Sequence, residues 1–107
     1  MNSNGFARGL LAKHYNGEKF LLHVADVIER QLKEWSVVYE VMVMKLSDYK
    51  IVVKKDNRYY ELVISEKELD TLQATAPFAL DRFVWKELEK QGIEIVRGYG
   101  DYIERVM

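Results

Sequence analysis

Cysteine is absent from this 107-residue chain, which excludes disulfide frameworks, thiolate metal sites and cysteine nucleophiles together. Proline occurs once, and no apolar run approaches the ~18 residues that a membrane-spanning helix needs. An excess of one charge sign is missing too. The 16 basic and 17 acidic side chains leave a formal charge of -1, so no global attraction to nucleic acid or membrane is built in. The opening Met1-Asn2-Ser3-Asn4 has no charged region followed by an apolar stretch, so no secretory signal is expected. What is present is 49% apolar and 31% charged residues, a globular composition rather than a disordered or collagen-like one. The expectation is a soluble, cytoplasmic, single α+β domain over 1–107, since either half alone would have too little core.

The strongest local signal is a helix over 16–35. Asn16 is placed to cap it, and Phe20, Leu21, Val24, Val27, Ile28, Leu32 and Trp35 follow at helical spacing. Ahead of it, Phe6, Leu10 and Leu11 have compatible spacing, but glycines at 5 and 9 weaken a helix; 1–15 reads as a weakly ordered arm or short helix. Three strands are expected next, over Ser36 to Leu46, Tyr49 to Lys55 and Arg58 to Ile64. Ser47-Asp48 and Asp56-Asn57 are the tight turns of an antiparallel meander. Ser65-Glu66-Lys67-Glu68 reads as a capping box, with Ile64 and Leu69 as its hydrophobic staple. Pro77 breaks this second helix, and Leu80, Val84 and Leu88 carry it on to a stop at Gly92. Ile93 to Arg97 and Tyr102 to Val106 read as two short strands around Gly98-Tyr99-Gly100-Asp101. The fold class is therefore α+β, with helices packed on one sheet face.

Signatures of chemistry are scarce. There is no G-x-S-x-G, no glycine-rich phosphate loop and no H-E-x-x-H. His23 and Asp26 are three apart on the first long helix and would offer two metal ligands. His14 is the only other imidazole, so no metal and no cofactor is implied. Carboxylate pairs such as Glu66/Glu68 and Glu87/Glu89 sit where solvated helix faces would have them.

Element order suggests two comparisons. Helix, three strands, helix, strand resembles the nuclease core of restriction-enzyme type, in which carboxylates near the second and third strands hold a divalent ion. Asp48 and Glu61 take those places, which implies a metal-dependent hydrolase as an alternative reading. The acid-x-lysine of that family is here Glu61-Leu62-Val63, so the resemblance is one of order alone. Helix, three strands, helix also resembles the double-stranded RNA-binding domain. Its lysine cluster at the second helix is replaced by Ser65-Glu66-Lys67-Glu68-Leu69-Asp70, which would repel phosphate. A narrower basic stretch remains, with Lys45, Lys50, Lys54, Lys55 and Arg58 against Asp48 and Asp56. Single-stranded nucleic acid through Lys50, Lys54, Arg58 and Tyr59 is a further alternative.

The most informative oddity is the second face of the sheet. If helices cover Tyr49, Ile51, Val53, Tyr60, Leu62 and Ile64, the other face carries Met42, Met44, Val52, Tyr59 and Val63. An antiparallel sheet with one wet face normally alternates more strictly. The N-terminal arm, the C-terminal segment or a second chain should then cover it. The leading reading is a protein without enzymatic chemistry that works by association, as an accessory or regulatory factor. Self-association into a homodimer comes first and another protein partner second; neither nucleic acid nor membrane is expected.

Overall fold

The computed structural model describes residues 4–98 and 100–107. It opens with α1 (Gly5–His14), capped by Asn4, whose side-chain oxygen accepts from Phe6 N–H at 3.0 Å and Ala7 N–H at 3.2 Å. Of the two readings of this segment, weakly ordered arm or short helix, it takes the helix, ten residues long. Leu11 and Ala12 pack against the core, but Arg8 is the residue the helix buries, while Phe6 and Leu10 are exposed. Next comes α2 (Gly17–Trp35), capped by Asn16 through Lys19 N–H at 2.8 Å. It buries Phe20, Leu21, Val24, Val27, Ile28 and Leu32 along one stripe, as the spacing predicts.

The meander follows as β1 (Tyr39–Lys45), β2 (Tyr49–Lys55) and β3 (Arg58–Ile64), antiparallel and in the order β1-β2-β3. Asp56 adopts φ 54°, the left-handed turn conformation that a short polar side chain tolerates. The register places Val53 between Val41 and Tyr60, and Ile51 between Val43 and Leu62. Tyr49, Ile51, Val53, Tyr60, Leu62 and Ile64 are all buried on this face, in the same core as the helices.

The predicted capping box forms at the start of α3 (Glu66–Thr75). Ser65 Oγ accepts from Glu68 N–H at 3.0 Å, and the Glu68 carboxylate accepts from Ser65 N–H at 3.2 Å. Ser65→Ala should cost about 1 kcal/mol, because an orphan backbone donor loses its partner. The check is the urea midpoint; an unchanged midpoint with unchanged slope would mean that the cap contributes nothing.

Pro77 separates α3 from α4 (Ala79–Lys90), where Leu80, Val84 and Leu88 are fully buried. Gly92 ends the helix at φ 105°. Beyond it the expected strands do not form. Residues 93–97 lie outside any ladder, and 102–106 are a short helix, α5 (Tyr102–Val106). Two causes are visible. The free edge of β3 is already occupied at Glu61 by the Gln91 side chain. The buried residues Tyr102, Ile103 and Val106 fit i, i+1, i+4, a helical rather than an alternating period. Gly98 and Gly100 both take positive φ, as a turn there requires; Tyr99 between them lies outside the described residues.

Candidate functional site

Nine side chains point away from the helices on the outer sheet face. Read across β1, β2 and β3, the register sets them in three rows: Glu40, Lys54, Tyr59; then Met42, Val52, Glu61; then Met44, Lys50, Val63. The expected five apolar residues therefore do share one surface. Val52 at its centre is 5% exposed, whereas Met42 and Met44 are 44% and 45% exposed, Tyr59 59% and Val63 56%. Val38 and Leu46, of the same alternation as Met42 and Met44, are exposed at the two ends of β1. No described element covers this face, because α1 packs beside α3 and α5 beside α4. The described parts of the N-terminal and C-terminal segments, both expected as covers, lie elsewhere.

Each outer edge of the same sheet carries a side-chain cap at one central residue. Gln91 at the end of α4 accepts from Glu61 N–H at 3.2 Å and donates to the Glu61 carbonyl at 2.8 Å. This amide imitates the paired groups of a neighbouring strand, and it withdraws them from any incoming one. On β1, Val41 N–H donates to the Glu29 carboxylate of α2 at 2.8 Å. Neither residue stands out in the sequence, since a Gln or Glu on a helix is ordinary.

The basic hairpin is divided by the sheet. Lys50, Lys54 and Tyr59 share the outer face, but Arg58 stands opposite Lys55 in the other alternation. Lys50 is paired with Glu61 at 3.0 Å, and the Lys54 ammonium lies 6.0 Å from the Tyr59 ring centroid. One lysine and one ring are left for a base to use.

Asp48 and Glu61 are not brought together. Tyr49 pairs with Ile64 and Val52 with Glu61, so the two acids are four strand positions apart, about 14 Å at ~3.4 Å per residue. Among the described residues, no group of three or more His, Asp or Glu is placed to hold a metal ion. The suggested His23 and Asp26 pair is also unbuilt: Asp26 binds Arg30 at 2.8 Å, while half-buried His23 stacks edge-on with Tyr15 at 6.2 Å. Burial, and then the Arg8 charge, lower the His23 pKa below its ordinary 6.5. A polar cleft of about 260 Å³ opens between the starts of α2 and α3, beside Lys45 and Tyr49. Its Lys45 is paired with Glu18 at 3.7 Å, and that carboxylate raises the lysine pKa.

A second polar cluster was not legible in the sequence at all. Arg8 of α1 forms a buried ion pair with Asp81 of α4 through Nη1 and Oδ1. Tyr102 of α5 donates its hydroxyl to Asp81 Oδ2 at 2.6 Å, and Trp85 Nε1 donates to the Tyr102 oxygen at 2.9 Å. The Arg8 guanidinium also lies 4.7 Å from the Phe78 ring centroid. Burial raises the Asp81 pKa against the opposing pull of Arg8 and Tyr102. Burial, followed by the Asp81 charge, pushes the Tyr102 hydroxyl well above its ordinary value. Both carboxylate oxygens are engaged and Arg8, Asp81, Trp85 and Tyr102 are all buried, so the cluster fastens three helices.

The chain matches no protein-family model, no curated protein and no solved structure.

Proposed function

We propose that this protein works by association through the outer sheet face, as an accessory or regulatory factor in the cytoplasm with no chemistry of its own. One observation carries the reading: an apolar patch around Val52 stays open on a sheet whose two edges are each capped at mid-strand. Methionine, tyrosine and valine side chains bury large areas and adapt to a partner, while Lys50 and Lys54 suit a wet rim. The metal-dependent hydrolase and single-strand readings have less support, given the separation of Asp48 from Glu61 and the pairing of Lys50.

Three strands ~4.8 Å apart and seven residues long give a face of only a few hundred Å², below the ~800 Å² per partner of a standard interface. Micromolar affinity is therefore the expectation for self-association. Sedimentation from about 1 to about 500 μM should show the 12.6 kDa chain moving to twice that mass. Val63→Asp strands a charge in the contact and should leave the monomer alone with its thermal midpoint nearly unchanged. A wild-type monomer throughout the range would overturn self-association. A dimer indifferent to Val63→Asp would move the contact off this face.

A further inference from the structure

We infer that two copies of this chain pack their outer faces crosswise, about a two-fold axis through Tyr59, Val52 and Met44, so that Lys54 of each copy meets Glu61 of the other. The inference rests on the association reading above and specifies its partner and geometry. A sheet can recruit a partner at its edge or on its face. Here β3 is capped at Glu61 by the Gln91 amide, and β1 at Val41 by the Glu29 carboxylate, each at the middle of its strand. Both caps disfavour a continuous added strand and favour the face.

Charge on the face favours a second copy over a strongly charged partner. Its nine positions hold two acids, Glu40 and Glu61, and two lysines, Lys50 and Lys54, which sum to zero. A two-fold contact needs such a patch to complement itself. Four in-plane axes through Val52 can be compared on the register alone. An axis along β2 sets Lys54 on Lys54 and Lys50 on Lys50. An axis across the strands sets Lys54 on Lys50 and Glu61 on Glu61. The diagonal through Glu40 and Val63 pairs Glu61 with Lys50 but places Glu40 on itself. The diagonal through Tyr59 and Met44 puts only apolar residues on the axis. It also creates two Lys54–Glu61 contacts, one on each side. Lys50 then lies over Met42, where its stem can pack, and Glu40 meets Val63 at a solvated corner.

Only this last axis sets no like charges against each other. Strands of the two copies would cross steeply, as in orthogonal sheet packings. Each Glu61 would be held between Lys50 of its own chain, already at 3.0 Å, and the partner copy's Lys54. Tyr59 would stack on its own symmetry mate, an arrangement aromatic rings favour.

A reciprocal charge exchange tests this. Lys54→Glu alone and Glu61→Lys alone each create two like-charge contacts per dimer, and sedimentation should show self-association weakened by about tenfold or more. An equimolar mixture of the two variants should recover near-wild-type association, because each repulsive contact becomes attractive in the mixed dimer. Thermal melts of each variant should fall only slightly, since the like-charge neighbours created within the sheet, Glu40 for Lys54→Glu and Lys50 for Glu61→Lys, remain partly solvated. Two results would overturn the crossing: either variant dimerising like wild type, or a mixture no tighter than its parts. If Val63→Asp still dissociates the dimer in that case, association through the face stands and only this geometry fails. A wild-type monomer would remove the association reading itself.

Discussion

Arg8→Ala should lower the unfolding free energy by about 3–5 kcal/mol, the cost of leaving a buried carboxylate without its counter-charge. Asp81 is fully buried, so its carboxylate has no solvent contact of its own to offset the loss. Tyr102 would remain as a donor to one oxygen, which does not neutralise the charge. A small domain holds only ~5–15 kcal/mol in total. At roughly 4–8 °C per kcal/mol for a domain near this size, the melting temperature should drop by about 12 °C or more. Calorimetry reads this directly. A drop of only ~1 kcal/mol, the scale of an exposed ion pair, would show that Asp81 is not isolated from solvent.

The loss should also depend on pH in a defined direction. Burial already raises the folded-state pKa of Asp81 above its ordinary 3.8. A raised pKa gives stability that is full below the unfolded value and is lost as pH rises through the folded one. Removing Arg8 takes away a group that holds the folded value down, so the loss at neutral pH becomes larger. The gap between Arg8→Ala and wild type should therefore narrow as pH falls from 7 toward 4. Packing is a separate matter, because Arg8 also lies over Phe78. Arg8→Met keeps much of that packing and should still be destabilising, whereas Arg8→Met with Asp81→Asn should recover most of the loss.

Why this cluster escaped the sequence, while the sheet and two helices did not, follows from the range of each signal. Asn16, Ser65 with Glu68, and the alternation of β2 and β3 are local patterns, each confined to a few neighbouring residues. The outer-face residues were legible for the same reason, because alternation alone sorts them. Arg8 and Asp81 are 73 positions apart, and neither stands out on its own helix. Hydrophobicity even misdirects at α1, where the apolar Phe6 faces water and the charged Arg8 faces the core. The two edge caps are equally silent, since Gln91 and Glu29 acquire meaning only once β3 and β1 lie beside them. The C-terminal segment failed differently. Its buried residues fit a helical period, but five residues are too few to separate it from a short strand.

Leu88 tests the part of the fold that the sequence does predict. It follows Leu80 and Val84 on the inward stripe of α4, and all three are fully buried. Leu88 is in the same core as Leu62 and Ile64 of β3, against which α4 packs. Its carbonyl also accepts from Ile93 N–H at 3.1 Å, just past the turn at Gly92. Leu88→Ala leaves that backbone bond intact and removes only side-chain volume, so transfer and cavity costs can be read without a lost hydrogen bond. The expected cost is about 2–5 kcal/mol, at the high end if β3 and α4 cannot close the gap. Urea denaturation with an unchanged slope is the measurement, since a changed slope would signal an altered unfolded or native ensemble. A cost under ~1 kcal/mol would show that α4 relaxes into the space. Self-association should survive whenever the domain remains folded, because Leu88 lies on the opposite side of the sheet from Val63. Loss of the dimer in a folded Leu88→Ala variant would mean that the helix layer, rather than the outer face, makes the contact.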